Sequence, residues 1–215
     1  MSLISDSELA KITPQAELED SFSVFYFLGG HAERGNDDVI DDFLSRHPAN
    51  PSIAAAIADA LYEKGDRREN IDKWVELYTM SAAAEIDGLS NNTSLWLGLH
   101  FYENEQYDDA LKWCLRAAEV FAEPEGALAV GSIYEADESR LDYVQAAKYY
   151  ILAGNLLAKS DSAPDNMYFK DDSYPVNEKG QWVDFDLLAQ WMNELPLDKR
   201  NELLDLIKTT PAIAA

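Results

Sequence analysis

The sequence predicts an all-α protein, a right-handed α-solenoid of three to four helical hairpins closed by C-terminal capping helices. Two observations lead to this prediction. Small and aromatic residues recur at helical spacings of three and four, and this pattern returns along the chain after 39 and again after 36 residues. Because a single hairpin cannot bury its apolar face alone, several hairpins must stack around a continuous core.

The second helix of each hairpin has the clearest pattern. Ala110, Trp113 and Ala117 are spaced at i, i+3 and i+7, and therefore share one helical face. The matching positions are Ala146, Tyr149 and Ala153, 36 residues later, and Ile71, Trp74 and Tyr78, 39 residues earlier. Gly98 and Gly131 stand at equivalent places in first helices, where a small residue lets two helices approach closely.

These positions predict hairpins over residues 51–85, 92–121 and 124–157. Residues 14–47 have apolar faces but a poorer pattern, which predicts a degenerate fourth repeat. We therefore expect one continuous domain with three segments. They are the N-terminal helices of residues 1–50, the helical repeats of residues 51–158, and an irregular excursion with capping helices over residues 159–215.

The N-terminal segment contains several boundary signals. Residues 1–12 are predicted to be a short lead helix or a loose end, and Pro14 is predicted to start a helix, because proline is favoured in a first turn. The pair Gly29-Gly30 predicts either a helix end or close packing. Asn36 is predicted to cap the helix that follows it.

The composition changes after Ala158. Residues 167–183 are aromatic and polar without a helical period, and they contain Pro175 and Gly180, so we expect an irregular excursion or a small hairpin. Helical patterns return near Phe185 and again after Pro196. We expect these last helices to cover the open end of the solenoid.

The repeats resemble the Sel1-like family, a relative of the tetratricopeptide repeats. The residues that match its pattern best are Ala127, Gly131 and Tyr134, followed by Ala146, Tyr149, Tyr150 and Ala153. The resemblance covers about half of the chain. It fails in the turns, where the family has Gly-x-Gly-Val and this chain has acidic residues such as Glu103-Asn104-Glu105.

The resemblance implies a non-catalytic scaffold or inhibitor, so we expect no enzyme activity. The rival hypothesis is a hydrolase that uses a pair of carboxylates, such as those of Asp37, Asp38, Asp41 and Asp42. With 40 acidic residues in the chain, such pairs also arise by chance. The three histidines and the lone Cys114 have no spacing typical of metal ligands, so we expect neither a metal nor another cofactor.

The net charge of −23, from 40 acidic and 17 basic residues, is spread along the whole chain. This charge repels nucleic acid and anionic membranes and attracts a basic protein. It also serves solubility, whatever the partner. The N-terminus has no secretory signal pattern, no apolar run is long enough for a membrane span, and a single cysteine suits a reducing compartment. We therefore expect a cytoplasmic protein.

The candidate binding residues lie on the first helices of the hairpins and on the excursion. In helical-repeat proteins the first helices line the concave face, and an aromatic ring beside carboxylates suits a lysine or arginine of a partner. The candidates are Tyr62, His100, Tyr102, Glu103, Glu105, Tyr134, Glu135, Asp137 and Tyr168. The alternative is that the tyrosines only fill the core between helices.

Three binding functions remain open at this point. The first is a bacterial immunity protein that covers and neutralises a basic toxin effector, a role that the resemblance also supplies. The second is a general adaptor or co-chaperone that holds a peptide in a concave groove. The third is an acidic DNA mimic, which the hydrophobic repeat pattern disfavours, because a mimic needs regular rows of carboxylates.

Overall fold

The computed structural model describes residues 5–47, 50–63, 71–83, 93–159 and 174–209. Within these ranges the fold is all-α, as predicted, with eleven helices. The chain divides into two compact units, residues 1–94 and 95–215, which we describe one at a time. The solenoid arrangement and the single continuous domain remain predictions.

The first unit contains the N-terminal helices and one predicted hairpin. Its helices are α1 (Asp6–Ala16), α2 (Ser21–Glu33), α3 (Asp37–Arg46), α4 (Pro51–Glu63) and α5 (Ile71–Ala83). Helix α4 packs on both α2 and α5. It can do so because most of its buried side chains are those of alanine, including Ala54, Ala56 and Ala58. The pair α4 and α5 corresponds to the hairpin predicted over residues 51–85.

The expectation that a helix begins at Pro14 was wrong. Pro14 does not begin a helix but lies inside α1, which begins after Ser5. A capping box forms at this start, since the Ser5 hydroxyl accepts from the backbone N–H of Glu8 and the Glu8 carboxylate accepts from the backbone N–H of Ser5. Pro14 has no N–H to donate to the carbonyl of Ala10, so α1 lacks one backbone hydrogen bond there, and the helix ends two residues later at Ala16.

The structure also settles the roles of Gly29 and Asn36. Gly29 and Gly30 are buried within α2, so they mark close packing rather than a helix end. Asn36 does precede α3, but its side chain makes no capping hydrogen bond. Its amide instead contacts Nδ1 of His31 at 3.1 Å.

The second unit contains the two clearest repeats and the C-terminal helices. Its helices are α6 (Thr93–Glu103), which begins two residues before the division, α7 (Tyr107–Glu119), α8 (Pro124–Ala136), α9 (Tyr143–Lys159), α10 (Phe185–Glu194) and α11 (Leu197–Thr209). Helix α8 packs on α7 and α9, and α11 packs on α9. The helix bounds agree with the hairpins predicted over residues 92–121 and 124–157.

Glycines bring these helices close together, as the spacing predicts. Gly98 lies against Cys114 of α7, and a methyl group on Gly131 would lie 2.8 Å from ring atoms of Tyr150. Near the start of α8, a methyl group on Gly126 would lie 2.8 Å from Cβ of Ala117, near the end of α7. The chain therefore reverses between α7 and α8, and side chains larger than glycine would separate the helices.

The C-terminal helices share the core of α8 and α9. Trp191 of α10 is 1% exposed and stacks on Tyr143, with ring centroids 4.8 Å apart. Leu203 of α11 is fully buried in the same core. Before these helices, Val176 and Trp182 form an antiparallel bridge around a tight turn. This agrees with the predicted small hairpin, of which residues 167–173 lie outside the described ranges.

The turn of this hairpin requires glycine. Gly180 has a φ of +72° and lies against α9, where a methyl group on Gly154 would be 2.5 Å from the Cα of Gly180. The left-handed backbone and the close approach both disfavour a side chain at position 180. The two glycines thereby bring the hairpin directly onto the backbone of α9.

Candidate functional site

The second unit contains an open acidic cleft between the α6–α7 turn and the α8–α9 loop. Its volume is about 320 Å³. It is lined by Glu105, Gln106, Tyr107, Asp108, Asp109, Asp137 and Arg140. Four carboxylates and one guanidinium therefore face a single concave surface. We call this surface the acidic cleft.

The α6–α7 turn supplies three of the carboxylates. Glu105 has a φ of +57°, and its backbone N–H donates to the carbonyl of Tyr102 at 3.0 Å. The backbone N–H of Gln106 donates to the carbonyl of Phe101 at 2.9 Å, which closes the turn. Helix α7 begins at once, so Asp108 and Asp109 occupy its first turn, where the helix dipole stabilises negative charge.

The α8–α9 loop supplies the fourth carboxylate. Helix α8 ends at Ala136, and the Asp137 carboxylate accepts from the backbone N–H of Ser139 at 3.0 Å and from its hydroxyl at 2.9 Å. Burial alone would raise the pKa of Asp137. The hydrogen bonds from Ser139 and Arg140 outweigh that effect and lower the pKa of this carboxyl below its usual range.

Arg140 joins the two walls of the cleft. One terminal nitrogen of its guanidinium donates to Asp137 and the other donates to Asp108, so a single side chain binds two carboxylates from two connections. The Asp108 side chain is 88% exposed, whereas that of Asp137 is 12% exposed. The cleft therefore already holds a guanidinium between carboxylates, with exposed acidic groups beside it.

A group of tyrosines lies near the cleft. The rings of Tyr102 and Tyr107 are 6.1 Å apart, and Tyr107 lines the cleft itself. Tyr134 stacks on Tyr149 at 6.2 Å, with 18° between the ring planes. Tyr102 and Tyr134 are half-buried, and burial raises the pKa of both phenols. The alternative that these tyrosines pack between helices therefore has direct support.

Three buried tyrosines of α9 each donate to a carboxylate. Tyr150 donates to Glu135 at 2.7 Å, Tyr149 donates to Glu119 at 2.6 Å, and Tyr143 donates to Glu194. The hydrogen bond to Glu194, together with burial, raises the pKa of Tyr143 to about 12. Burial is the main cause of the higher pKa of Tyr149 and of Tyr150. These phenols therefore remain protonated donors at neutral pH, and each binds a carboxylate at the edge of the core, where Glu119 and Glu194 are exposed and Glu135 is half-buried.

The structure brings only some of the predicted site residues together. Glu105 and Asp137 line the cleft, and Glu103 is exposed at the end of α6. Glu135 instead accepts the hydrogen bond from Tyr150, and the ring of His100 contacts that of Phe101 at 5.5 Å. Tyr62 lies in the last turn of α4, but its side chain is outside the described part of the structure, and so is residue Tyr168.

Sequence reasoning missed five residues of the cleft, namely Tyr107, Asp108, Asp109, Arg140 and Gln106. A signal for the first three was present, because an aromatic residue followed by two acidic residues stands where α7 begins. Asp137 lies three residues before Arg140, but no signal in the sequence pointed to its second partner, Asp108, which is 32 residues away. The guanidinium contact depends on how the two connections come together.

Among the described residues, no group of three or more His, Cys, Asp or Glu side chains is arranged to hold a metal ion. Over the same residues, every helix is too short or too polar to cross a bilayer. The Cys114 thiol is buried, and burial raises its pKa to about 12.

Comparison with known proteins gives no relative for this chain. No protein-family model, no curated protein and no solved structure matches it.

Proposed function

We propose that this chain is a cytoplasmic, non-catalytic binding protein whose acidic cleft receives a basic protein, and that this partner is a toxin that the chain neutralises. The observation that carries the proposal is the pair of contacts that Arg140 makes with Asp108 and Asp137. The cleft binds one guanidinium by paired carboxylates, which is the contact that an arginine of a partner would make.

Three further features support a basic partner. Glu105, Asp108 and Asp109 are exposed around Arg140, so the cleft keeps an excess of negative charge after its internal arginine is counted. The net charge of −23 adds a long-range attraction that speeds the encounter with a basic protein. A half-buried aromatic ring, that of Tyr107, lies beside these charges and offers contact for a cationic side chain.

The proposal includes membership of the Sel1-like repeats. The support is that Gly98 and Gly131, which stand at equivalent positions of two first helices, both lie against the second helix of their own hairpin. In a stack of such hairpins the connections between helices lie at the edge, where they are accessible to a partner. The acidic cleft is formed by two such connections.

The test is rescue of growth. Each protein encoded beside the gene for this chain is expressed alone and together with the chain. We expect a basic neighbour that arrests growth and is neutralised by the wild-type chain. A variant with Glu105→Gln, Asp108→Asn and Asp109→Asn should fail to rescue growth or to bind that neighbour.

The matched control removes the same charge from another place. Asp37, Asp38 and Asp41 are exposed on α3 of the first unit, and their change to Asn alters the net charge by the same three units. This control should rescue growth like the wild type. If the chain neutralises none of the neighbouring proteins, the proposal of a toxin partner is wrong. If the cleft variant and the control variant rescue growth equally, the cleft is not the binding site.

A further inference from the structure

His47 contacts carboxylates with both nitrogens of its ring. Nε2 lies 2.9 Å from Oε2 of Glu17, and Nδ1 lies 3.3 Å from Oε1 of Glu19. The ring stacks on Phe43, with centroids 4.5 Å apart and 29° between the planes. His47 is the residue at which α3 ends, whereas Glu17 and Glu19 belong to the turn between α1 and α2. The contacts therefore tie two separate connections of the first unit together.

This geometry specifies the protonation state of the ring. A neutral imidazole has one N–H donor and one lone pair, so only one of its nitrogens can donate to a carboxylate. The other nitrogen would then face a second carboxylate with its lone pair, which is repulsive. Both contacts are favourable only when both nitrogens carry protons and the ring is an imidazolium.

We propose that His47, Glu17 and Glu19 form a proton-dependent latch, in which a doubly protonated His47 holds the α1–α2 turn against the end of α3. Loss of the proton breaks the longer contact, to Glu19. Glu17 remains bound, because Arg46 donates to both of its oxygens, at 2.5 and 3.0 Å. The latch therefore opens on one side only.

The charged groups around His47 agree with this device. Glu17 and Glu19 face the ring from the α1–α2 turn, and Arg46, which also binds Asp42, faces it from α3. The hydrogen bond with Glu17 raises the pKa of His47 above its ordinary value, with a further contribution from Glu19, against the opposing effects of burial and Arg46. The imidazolium of His47 therefore persists to a higher pH than that of an unperturbed histidine.

The turn that the latch holds has an unusual shape and an exposed apolar residue. Glu19 has a φ of +59°, which is uncommon for a residue other than glycine. Leu18, between the two glutamates, is 82% exposed. Glu19 also accepts from the amide of Asn50 at 2.9 Å. Release of the Glu19–His47 contact removes one of the side-chain contacts that hold the turn, and so increases the freedom with which Leu18 is displayed.

The first test follows the three histidines of the wild-type chain by nuclear magnetic resonance, with ring nitrogens observed from about pH 5.5 to about pH 9. We expect His47 to be doubly protonated at low pH and to titrate above about 6.5. His31 is an internal control, since burial lowers its pKa. A His47 midpoint at or below about pH 6.5 overturns the proposal. So does a His47 ring that carries only one proton at pH values below its midpoint.

The second test uses Glu19→Gln. The glutamine amide can donate to a neutral Nδ1 and its carbonyl can accept from a protonated one, so the contact becomes independent of the proton. We expect the midpoint of the His47 titration to fall. In the wild type, hydrogen exchange of the amides of residues 18–20, corrected for intrinsic rates, should become faster above the His47 midpoint. In Glu19→Gln this acceleration should be absent. Asp38→Asn removes an equal charge from α3 and should change neither result. An unchanged midpoint in Glu19→Gln overturns the latch.

Discussion

The phenolic hydroxyl of Tyr150 donates to the carboxylate of Glu135 at 2.7 Å, and the Ser132 hydroxyl lies 3.3 Å from the same phenol. Tyr150 is 3% exposed and belongs to α9, whereas Glu135 and Ser132 belong to α8. Glu135, which was predicted to face a partner, thus connects the two helices of its own hairpin through a hydrogen bond. This places part of the large acidic excess within the fold rather than on a binding surface.

The change of Tyr150 to Phe tests this contribution. It removes the donor but keeps the ring, and we expect the free energy of unfolding to fall by about 1.5–3 kcal/mol, the usual range for a hydrogen bond to a charged group. Urea denaturation measures the difference. Glu135→Gln keeps an acceptor oxygen and should cost less. A Tyr150→Phe protein as stable as the wild type would show that this hydrogen bond is no more favourable than the one that the phenol makes with water in the unfolded chain.

The packing of Gly131 on Tyr150 predicts that Gly131→Ala destabilises the protein. Helix propensity alone would predict that it stabilises the protein. In an exposed helix, glycine to alanine stabilises by up to about 1 kcal/mol. At Gly131 the new methyl group would lie 2.8 Å from two ring atoms of Tyr150, so we expect a loss of about 1–3 kcal/mol. Thermal or urea unfolding measures it.

The ring of Tyr150 is the cause in this argument, and a double-mutant cycle isolates it. In a Tyr150→Leu background, which lacks the ring, Gly131→Ala should cost less than in the wild type. Equal costs in the two backgrounds would place the strain elsewhere in the helix pair.

The hairpins of the second unit could be predicted because their signals are local. The spacing of small and aromatic residues fixes which helical face is buried, and Gly98 and Gly131 mark where helices approach. Pro14 shows the limit of such signals. Proline favours a first turn, but the capping box formed by Ser5 and Glu8 began α1 earlier and carried the helix through the proline.

The acidic cleft was only partly predictable, because it depends on contacts distant in sequence. Glu105 and Asp137 were identified as acidic residues next to aromatic ones, but nothing in the sequence distinguishes Asp108 from the other acids as the partner of Arg140. The same holds for the tyrosine pairs. Tyr149 could have used any nearby carboxylate, and only the packing of the helices selects Glu119.

The environment of Cys114 predicts an unreactive thiol. Its Sγ is buried against the backbone of Gly98, and burial raises its pKa to about 12. Because the thiolate is the reactive species, we expect a disulfide reagent at about pH 8 to react at least about 100-fold faster with a cysteine at the exposed position Ala10, in an Ala10→Cys, Cys114→Ala protein. Absorbance of the released thiol measures both rates. Similar rates in the two folded proteins would contradict the burial of Cys114.

The lowered pKa of Glu17 predicts that the free energy of unfolding decreases at acidic pH. Hydrogen bonds from Arg46, and then from His47, lower the pKa of this carboxyl to about 2. Because the folded pKa lies below the unfolded value of about 4.3, the contribution to stability is fully present above that value and disappears as the pH falls towards 2. The difference in unfolding free energy between wild type and Glu17→Gln should therefore be constant from about pH 5 to the pH at which His47 begins to lose its proton, and it should vanish at low pH.

Arg46→Gln provides the control for this acid dependence, since it removes the largest cause of the lowered pKa while leaving the carboxylate in place. In that background, the Glu17→Gln difference should be smaller and should disappear at a higher pH. Urea unfolding at a series of pH values measures both differences. A difference that persists unchanged to about pH 2 would mean that Glu17 acts by packing and not by charge.

The proposed function predicts how binding responds to salt. A basic partner identified by growth rescue should associate more slowly as salt passes about 0.1 M, where the screening length falls to about 10 Å. Dissociation should change less, because it depends on contacts already made. Charge reversal by Glu105→Lys and Asp109→Lys should slow association at low salt and flatten its salt dependence.

Stopped-flow mixing over a range of salt concentrations separates the two rates. Asp137 is unsuitable for charge reversal, because its carboxylate is bound by Ser139 and Arg140 and its loss would alter the loop. Asp37→Lys with Asp38→Lys on α3 changes the net charge by the same amount and should slow association less than the cleft variant. An association rate that is insensitive both to salt and to the cleft variant would mean that the acidic surface serves solubility, and that the partner is recognised by shape.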